Sequence, residues 1–124
     1  MPDTDQPLSG RRILVVEDEF LIAMEVKRWL LAAGANVAGP VSSVNQALDL
    51  IEDDGLDAAV LDVSLARQQQ VYPVADKLGA LGVPYLFATA NVWVSDAPEY
   101  RDRPRLPKPF VEAELVRALS SLVR

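Results

Sequence analysis

The chain has 124 residues, half of them hydrophobic and about a quarter charged, with a net charge of −6 and neither cysteine nor histidine. That length suits one domain with one real core, and no apolar run approaches the ~20 residues needed to cross a bilayer. Without cysteine there are no disulfides and no thiolate chemistry, which suits the cytoplasm; without histidine the usual general base and the commonest transition-metal ligand are missing, so any metal must be a hard one held by oxygen. The acidic balance also disfavours a dedicated nucleic-acid binder, because the basic cluster Arg101, Arg103, Arg105 and Lys108 is too local to neutralise a phosphate backbone.

The opening "MPDTDQPLSG" has neither a basic segment nor an apolar core, so it is no secretory signal. Residues 1–10 read as a mobile polar tail and 11–124 as one domain. "RILVVE" (12–17) is the first strand; Ile22, Val26, Trp29, Leu30 and Ala33 then recur at helical spacing until Gly34. "NVAGPV" is a second strand. Ser43 and Gln46 form a possible capping box before a helix with Val44, Ala47, Leu48 and Ile51 on its apolar face. "AAVLDVSL" is an apolar strand interrupted only by Asp62, "YPVADKLGALG" a weak helix with Pro73 in its first turn, and "VPYLFATA" a fourth strand. In 91–104 Pro98 leaves room for only a short helix. "RPRLPKP" leads into a fifth strand, and 110–123 closes the chain as a helix. Five strands alternating with helices imply a doubly wound parallel α/β sheet covered on both faces.

In such sheets ligands sit at the carboxyl ends of the strands. Glu17 and Asp18 end the first strand, Asp62 the third, Thr89 the fourth, and Lys108 follows the fifth. Two carboxylates about 4 Å apart repel by roughly 4 kcal/mol at an effective dielectric near 20, so such a cluster requires cations. Lys108 supplies one charge, and Mg²⁺ suits an open site of carboxylates, waters and phosphate oxygens. Carboxylate, divalent cation, hydroxyl and ammonium are the parts needed to accept a phosphoryl group on a carboxylate oxygen. Plainer readings stand beside this one: Glu17–Glu19 as a helix start favoured by the macrodipole, and Asp62 with Lys108 as a structural ion pair.

Taken in order, "ILVVEDE", "AAVLDVSL", "FATA" and "KPF" resemble the receiver domain of bacterial two-component response regulators, over residues 11–124. The resemblance implies strand order 2-1-3-4-5, Asp62 as phosphoacceptor, Asp18 as a direct Mg²⁺ ligand, Glu17 acting through water and the Ser64 backbone carbonyl completing the protein ligands. It further implies Thr89 as the hydroxyl switch residue, Lys108 as the ammonium contacting the acyl phosphate, and a cis Lys108–Pro109 peptide. Within that family the chain is similar to the single-domain FAT-GUY group. It departs from the usual pattern at Ala66, Gln70, Ala90-Asn91-Val92-Trp93 and Arg105, the last standing where many receivers place a rotating aromatic.

The implied function is that of a stand-alone receiver, phosphorylated by a sensor histidine kinase or histidine phosphotransfer protein. With no output domain after Arg124, it is expected to signal by protein contact or phosphorelay. The expected target surface comprises residues 91–105, including Trp93 and Tyr100, together with the C-terminal helix. It is not expected to be an enzyme beyond its own Asp phosphorylation and dephosphorylation. The alternative is an unphosphorylated receiver-like scaffold binding through a fixed surface. An aspartate-nucleophile phosphatase would show Asp-x-Asp where this chain has Asp62-Val63-Ser64.

Overall fold

Successive side chains of a strand point to opposite faces, and the central strands of this protein are apolar on both. In the computed structural model, which describes residues 6–52, 55–63, 65, 70–90 and 97–123, strands β1 (Arg12–Val16), β2 (Asn36–Val41), β3 (Ala58–Asp62), β4 (Tyr85–Thr89) and β5 (Arg105–Pro107) form one sheet. Its order is β2-β1-β3-β4-β5, with every pair parallel. Leu14, Val16, Ala59, Leu61, Tyr85 and Phe87 face one core, and Ile13, Val15, Ala58, Val60, Leu86 and Ala88 face the other.

Helices α1 (Phe20–Ala32) and α5 (Glu112–Leu122) cover the second face through Val26, Leu30, Leu115 and Leu119. Helices α2 (Val44–Glu52), α3 (Tyr72–Ala80) and the four-residue α4 (Pro98–Arg101) cover the first, through Ala47, Ile51, Val74, Leu78 and Tyr100. Full burial of each Leu or Ile is worth about 1.5–3 kcal/mol, so the two faces together drive folding. Among the described residues no helix is long and apolar enough to cross a membrane.

The α2 cap follows its sequence signature in part. Ser43 Oγ accepts the Gln46 N–H at 3.2 Å, while Gln46 Oε1 reaches back to the N–H of Ser42 rather than of Ser43. Two expectations need correction. Residues 6–10 do not form a free tail: Leu8 is fully buried, its N–H donates to the Ala33 carbonyl at 3.0 Å, and Gly10 N–H donates to Gly34. Gly34 ends α1 at φ +92, and a Cβ there would stand 2.9 Å from Ser9 Cα, so glycine both turns the chain and seats this strap. The last helix also starts later than 110. Lys108–Pro109 is cis, Glu114 Oε1 accepts the Val111 N–H at 3.0 Å at the helix start, and Phe110 lies outside the helix with its ring edge toward Trp29 at 6.3 Å.

Candidate functional site

The parallel register brings the polar strand ends together. Asp62, the last residue of β3, lies in register with Ala88 of β4, and Thr89 with Pro107 of β5. The next ladder bond, from Lys108 N–H to the Thr89 carbonyl at 2.8 Å, sets Lys108 at this edge. Glu17 is held from the other side, because its N–H donates to Val41 at 2.9 Å and its Oε2 accepts the Glu19 N–H at 3.1 Å. Glu17 and Asp62 are each 5% exposed and Thr89 4%, a degree of burial that ionisable groups tolerate only with partners.

Lys108 is that partner, and its main contact is Glu17. Nζ lies 2.9 Å from Oε1 and 3.1 Å from Oε2 of Glu17, but 3.5 Å from Asp62 Oδ1. The structural pair anticipated between Asp62 and Lys108 is therefore the weaker side of a three-group cluster. Burial, followed by the adjacent Glu17 charge and the Asp18 hydrogen bond, pushes the Asp62 carboxyl up to about 8, against the pull of Lys108. For Lys108 burial acts downward, but the hydrogen bond and charge of Glu17, with Asp62 behind them, outweigh it and raise the amine.

Oxygens of Glu17, Asp18 and Asp62 lie within 4.8 Å of one another. Three carboxylates against one ammonium form a hard-oxygen donor set with charge to spare, which fits a small divalent cation. A cavity of about 220 Å³ opens beside them between Asp18, Asp62, Thr89 and Lys108. Of the residues singled out in the sequence, Glu17, Asp18, Asp62, Thr89 and Lys108 come together. Ser64, Ala66, Asn91, Val92 and Trp93 lie outside the described residues. Arg105 is exposed on β5, while Gln70 is exposed just ahead of α3.

Sequence reasoning missed a second, larger feature. A groove of about 430 Å³ runs between α1 and the segment after β5, walled by Ile22, Val26, Trp29 and Phe110, and it shares Glu19, Ala90 and Lys108 with the acidic cavity. The helical spacing of Ile22, Val26 and Trp29 was visible, but the partner that turns the face into a groove is Phe110, far along the chain.

The fold and this edge can be set beside known proteins. No protein-family model matches the chain. The solution structure of SdrG from Sphingomonas melonis Fr1 is 40% identical, with a TM-score of 0.78, covering 92% of this chain and 97% of that one. The receiver domain of sensor histidine kinase PA1611 from Pseudomonas aeruginosa PAO1, solved with magnesium coordinated in its active-site cleft, is 27% identical at a TM-score of 0.75, covering 93% of this chain and 98% of that one. The response regulator MprA of Mycolicibacterium vanbaalenii is 36% identical over 118 residues.

The chain belongs to the response-regulator receiver family. The match covers 91% of this chain, which spans about half the length of the curated relatives it matches, 50% in the case of that MprA. A second structure of SdrG, 39% identical at a TM-score of 0.76 and covering 98% of this chain and 99% of that one, shows a BeF3-activated conformation.

Proposed function

We propose that this receiver accepts a phosphoryl group on Asp62 from the phosphohistidine of a sensor histidine kinase or histidine phosphotransfer protein in the cytoplasm. The observation that carries this reading is the convergence of buried Asp62 with Glu17, Asp18 and Lys108 at one sheet edge, open to a cavity. The chain has no histidine, so the donor imidazole lies outside these 124 residues. A carboxylate oxygen of Asp62 forms the new O–P bond as the donor's N–P bond breaks, and the electron pair stays on the imidazole nitrogen. Lys108 sets an ammonium against the phosphoryl oxygens, and Thr89 brings a hydroxyl to the same cavity.

Glu17, Asp18 and Asp62 would hold Mg²⁺, with the Ser64 carbonyl assigned by family resemblance. When bound, the ion supplies charge neutralisation for the incoming phosphoryl oxygens. The magnesium-bearing PA1611 receiver domain and the BeF3-activated SdrG support the reading by kinship. The signal then passes by protein contact or phosphorelay, through the surface of residues 91–105 and α5.

Intact mass after incubation with acetyl phosphate and Mg²⁺ tests the proposal. The expected result is one added phosphoryl group, lost in Asp62→Asn and in EDTA. No adduct, from acetyl phosphate or from a panel of purified phosphorylated kinases, would overturn it and favour the unphosphorylated scaffold.

A further inference from the structure

Glu19, Ala90 and Lys108 line both the acidic cavity and the groove between α1 and the segment after β5. Ala90 is exposed and contributes only a methyl group to the shared lining. Lys108 is committed to Glu17 and Asp62. Glu19 is the exposed one of three consecutive acids, and its carboxylate makes no hydrogen bond or ion pair among the described residues. It does not cap α1 through its side chain, although it occupies the N-cap position. Its backbone N–H serves Glu17, so main chain and side chain have separate tasks.

Charge bookkeeping isolates Glu19. Lys108 neutralises Glu17, and Asp18 with Asp62 match a divalent cation in charge. The Glu19 carboxylate is left over in the cavity wall, where it acts electrostatically on the already committed Lys108. A dianion entering the acidic cavity passes the negative charge of Glu19 in its wall.

We propose that Glu19, in the wall of the cavity beside Asp62, is a specificity-determining residue that disfavours small anionic phosphodonors. The inference rests on Asp62 being the phosphoacceptor. It gives the third acid of "VEDEF" a purpose apart from metal binding, namely insulating the site from free metabolite phosphates.

The test compares two donors of different charge. With acetyl phosphate, a dianion at neutral pH, the P–O bond to the acetyl group breaks, the O–P bond to Asp62 forms, and acetate leaves with the electron pair. With phosphoramidate, a monoanion at neutral pH, the P–N bond breaks and the nitrogen leaves as ammonia with the bond pair. Glu19→Gln is expected to speed labelling by acetyl phosphate by about threefold to tenfold and labelling by phosphoramidate less. The difference should collapse near ~1 M salt, where the Debye length falls to about 3 Å. Glu19→Asp, which keeps the charge, should follow the parent.

Calorimetric Mg²⁺ affinity of Glu19→Gln should stay within about threefold of the parent; a larger loss would place Glu19 among the ligands and overturn the filter. Equal acceleration of both donors, no acceleration, or acceleration that survives high salt would also overturn it, while labelling of the parent leaves the Asp62 reading intact. A parent and a Glu19→Gln variant both labelled by neither donor would overturn the filter, and only a further failure with purified phosphorylated kinases would remove the Asp62 reading as well.

Discussion

Asp62, the proposed phosphoacceptor, costs the metal-free protein stability. Its ordinary carboxyl value is 3.8, and burial beside Glu17 raises it to about 8 in the folded chain. Between those two values the unfolded chain has released the proton and the folded chain retains it, so rising pH favours unfolding. The stabilising contribution is thus fully present below the ordinary value and is lost as pH rises through the folded one. In EDTA, the stability of the parent relative to Asp62→Asn is therefore expected to fall between about pH 4 and pH 8. Near the upper end Asp62→Asn should be the more stable by about 1–3 kcal/mol, since it removes an incompletely compensated buried charge while Lys108 keeps Glu17. Saturating Mg²⁺ should reverse that order by mass action, because the variant loses a ligand. Urea midpoints across the pH series check this; parallel pH profiles for the two proteins would show that Asp62 is not held protonated. The sequence disclosed Asp62 because an acid inside an apolar strand stands out. It did not disclose that Lys108 prefers Glu17, since side-chain distances within one cluster follow from strand register and from the Glu19 N–H that fixes Glu17.

At the scale of elements, α4 poses the sharpest question, because four residues have no helical stability of their own. Tyr100 supplies it from the side. The residue is 7% exposed, its O–H donates to Asp76 Oδ1 of α3 at 2.6 Å, and its ring stacks on Tyr72 at 4.5 Å and meets the Phe87 ring edge-on at 6.1 Å. Burial first, then the Asp76 acceptor, pushes the phenol above its ordinary range. Phe87 pairs with Arg105 across the sheet, so α4 places an aromatic beside β4 while β5 carries an exposed arginine. Tyr100→Phe keeps the ring packing and removes the hydrogen bond, with an expected loss of about 1 kcal/mol. Amide exchange should quicken at Tyr100, Arg101 and Arg103, whose N–H groups bond to Ala97 and Tyr100, and stay unchanged in β1 and β3. Uniform acceleration would mean that Tyr100 serves global stability rather than this joint. The short helix was legible from Pro98, but its attachment was not. Tyr72, Asp76 and Tyr100 are ordinary surface residue types whose meeting depends on how α3 and α4 are laid on the sheet.

Across the whole molecule, legibility follows burial. The central strands declared themselves because both faces are covered, which makes each one a nearly continuous apolar run. The strap at residues 6–10 did not, because Leu8 stands alone among polar neighbours and carries no periodicity. Yet Leu8 is fully buried in the core shared by α1, α5 and one sheet face, together with Leu30, Ala33 and Leu119. Its backbone ties to Ala33, and Gly34 gives it room, so the strap closes the end of the molecule opposite the acidic edge. Leu8→Ala leaves a cavity between fixed helices and should cost about 2–4 kcal/mol. Because the site lies at the other end, phosphoryl labelling of Asp62 by acetyl phosphate under folding conditions should be unaffected. Denaturant unfolding followed by fluorescence separates the outcomes: a lower midpoint at unchanged slope marks the strap as part of the cooperative core. An unchanged midpoint would instead mean that residues 6–10 detach before the rest unfolds, and that the domain proper begins at β1.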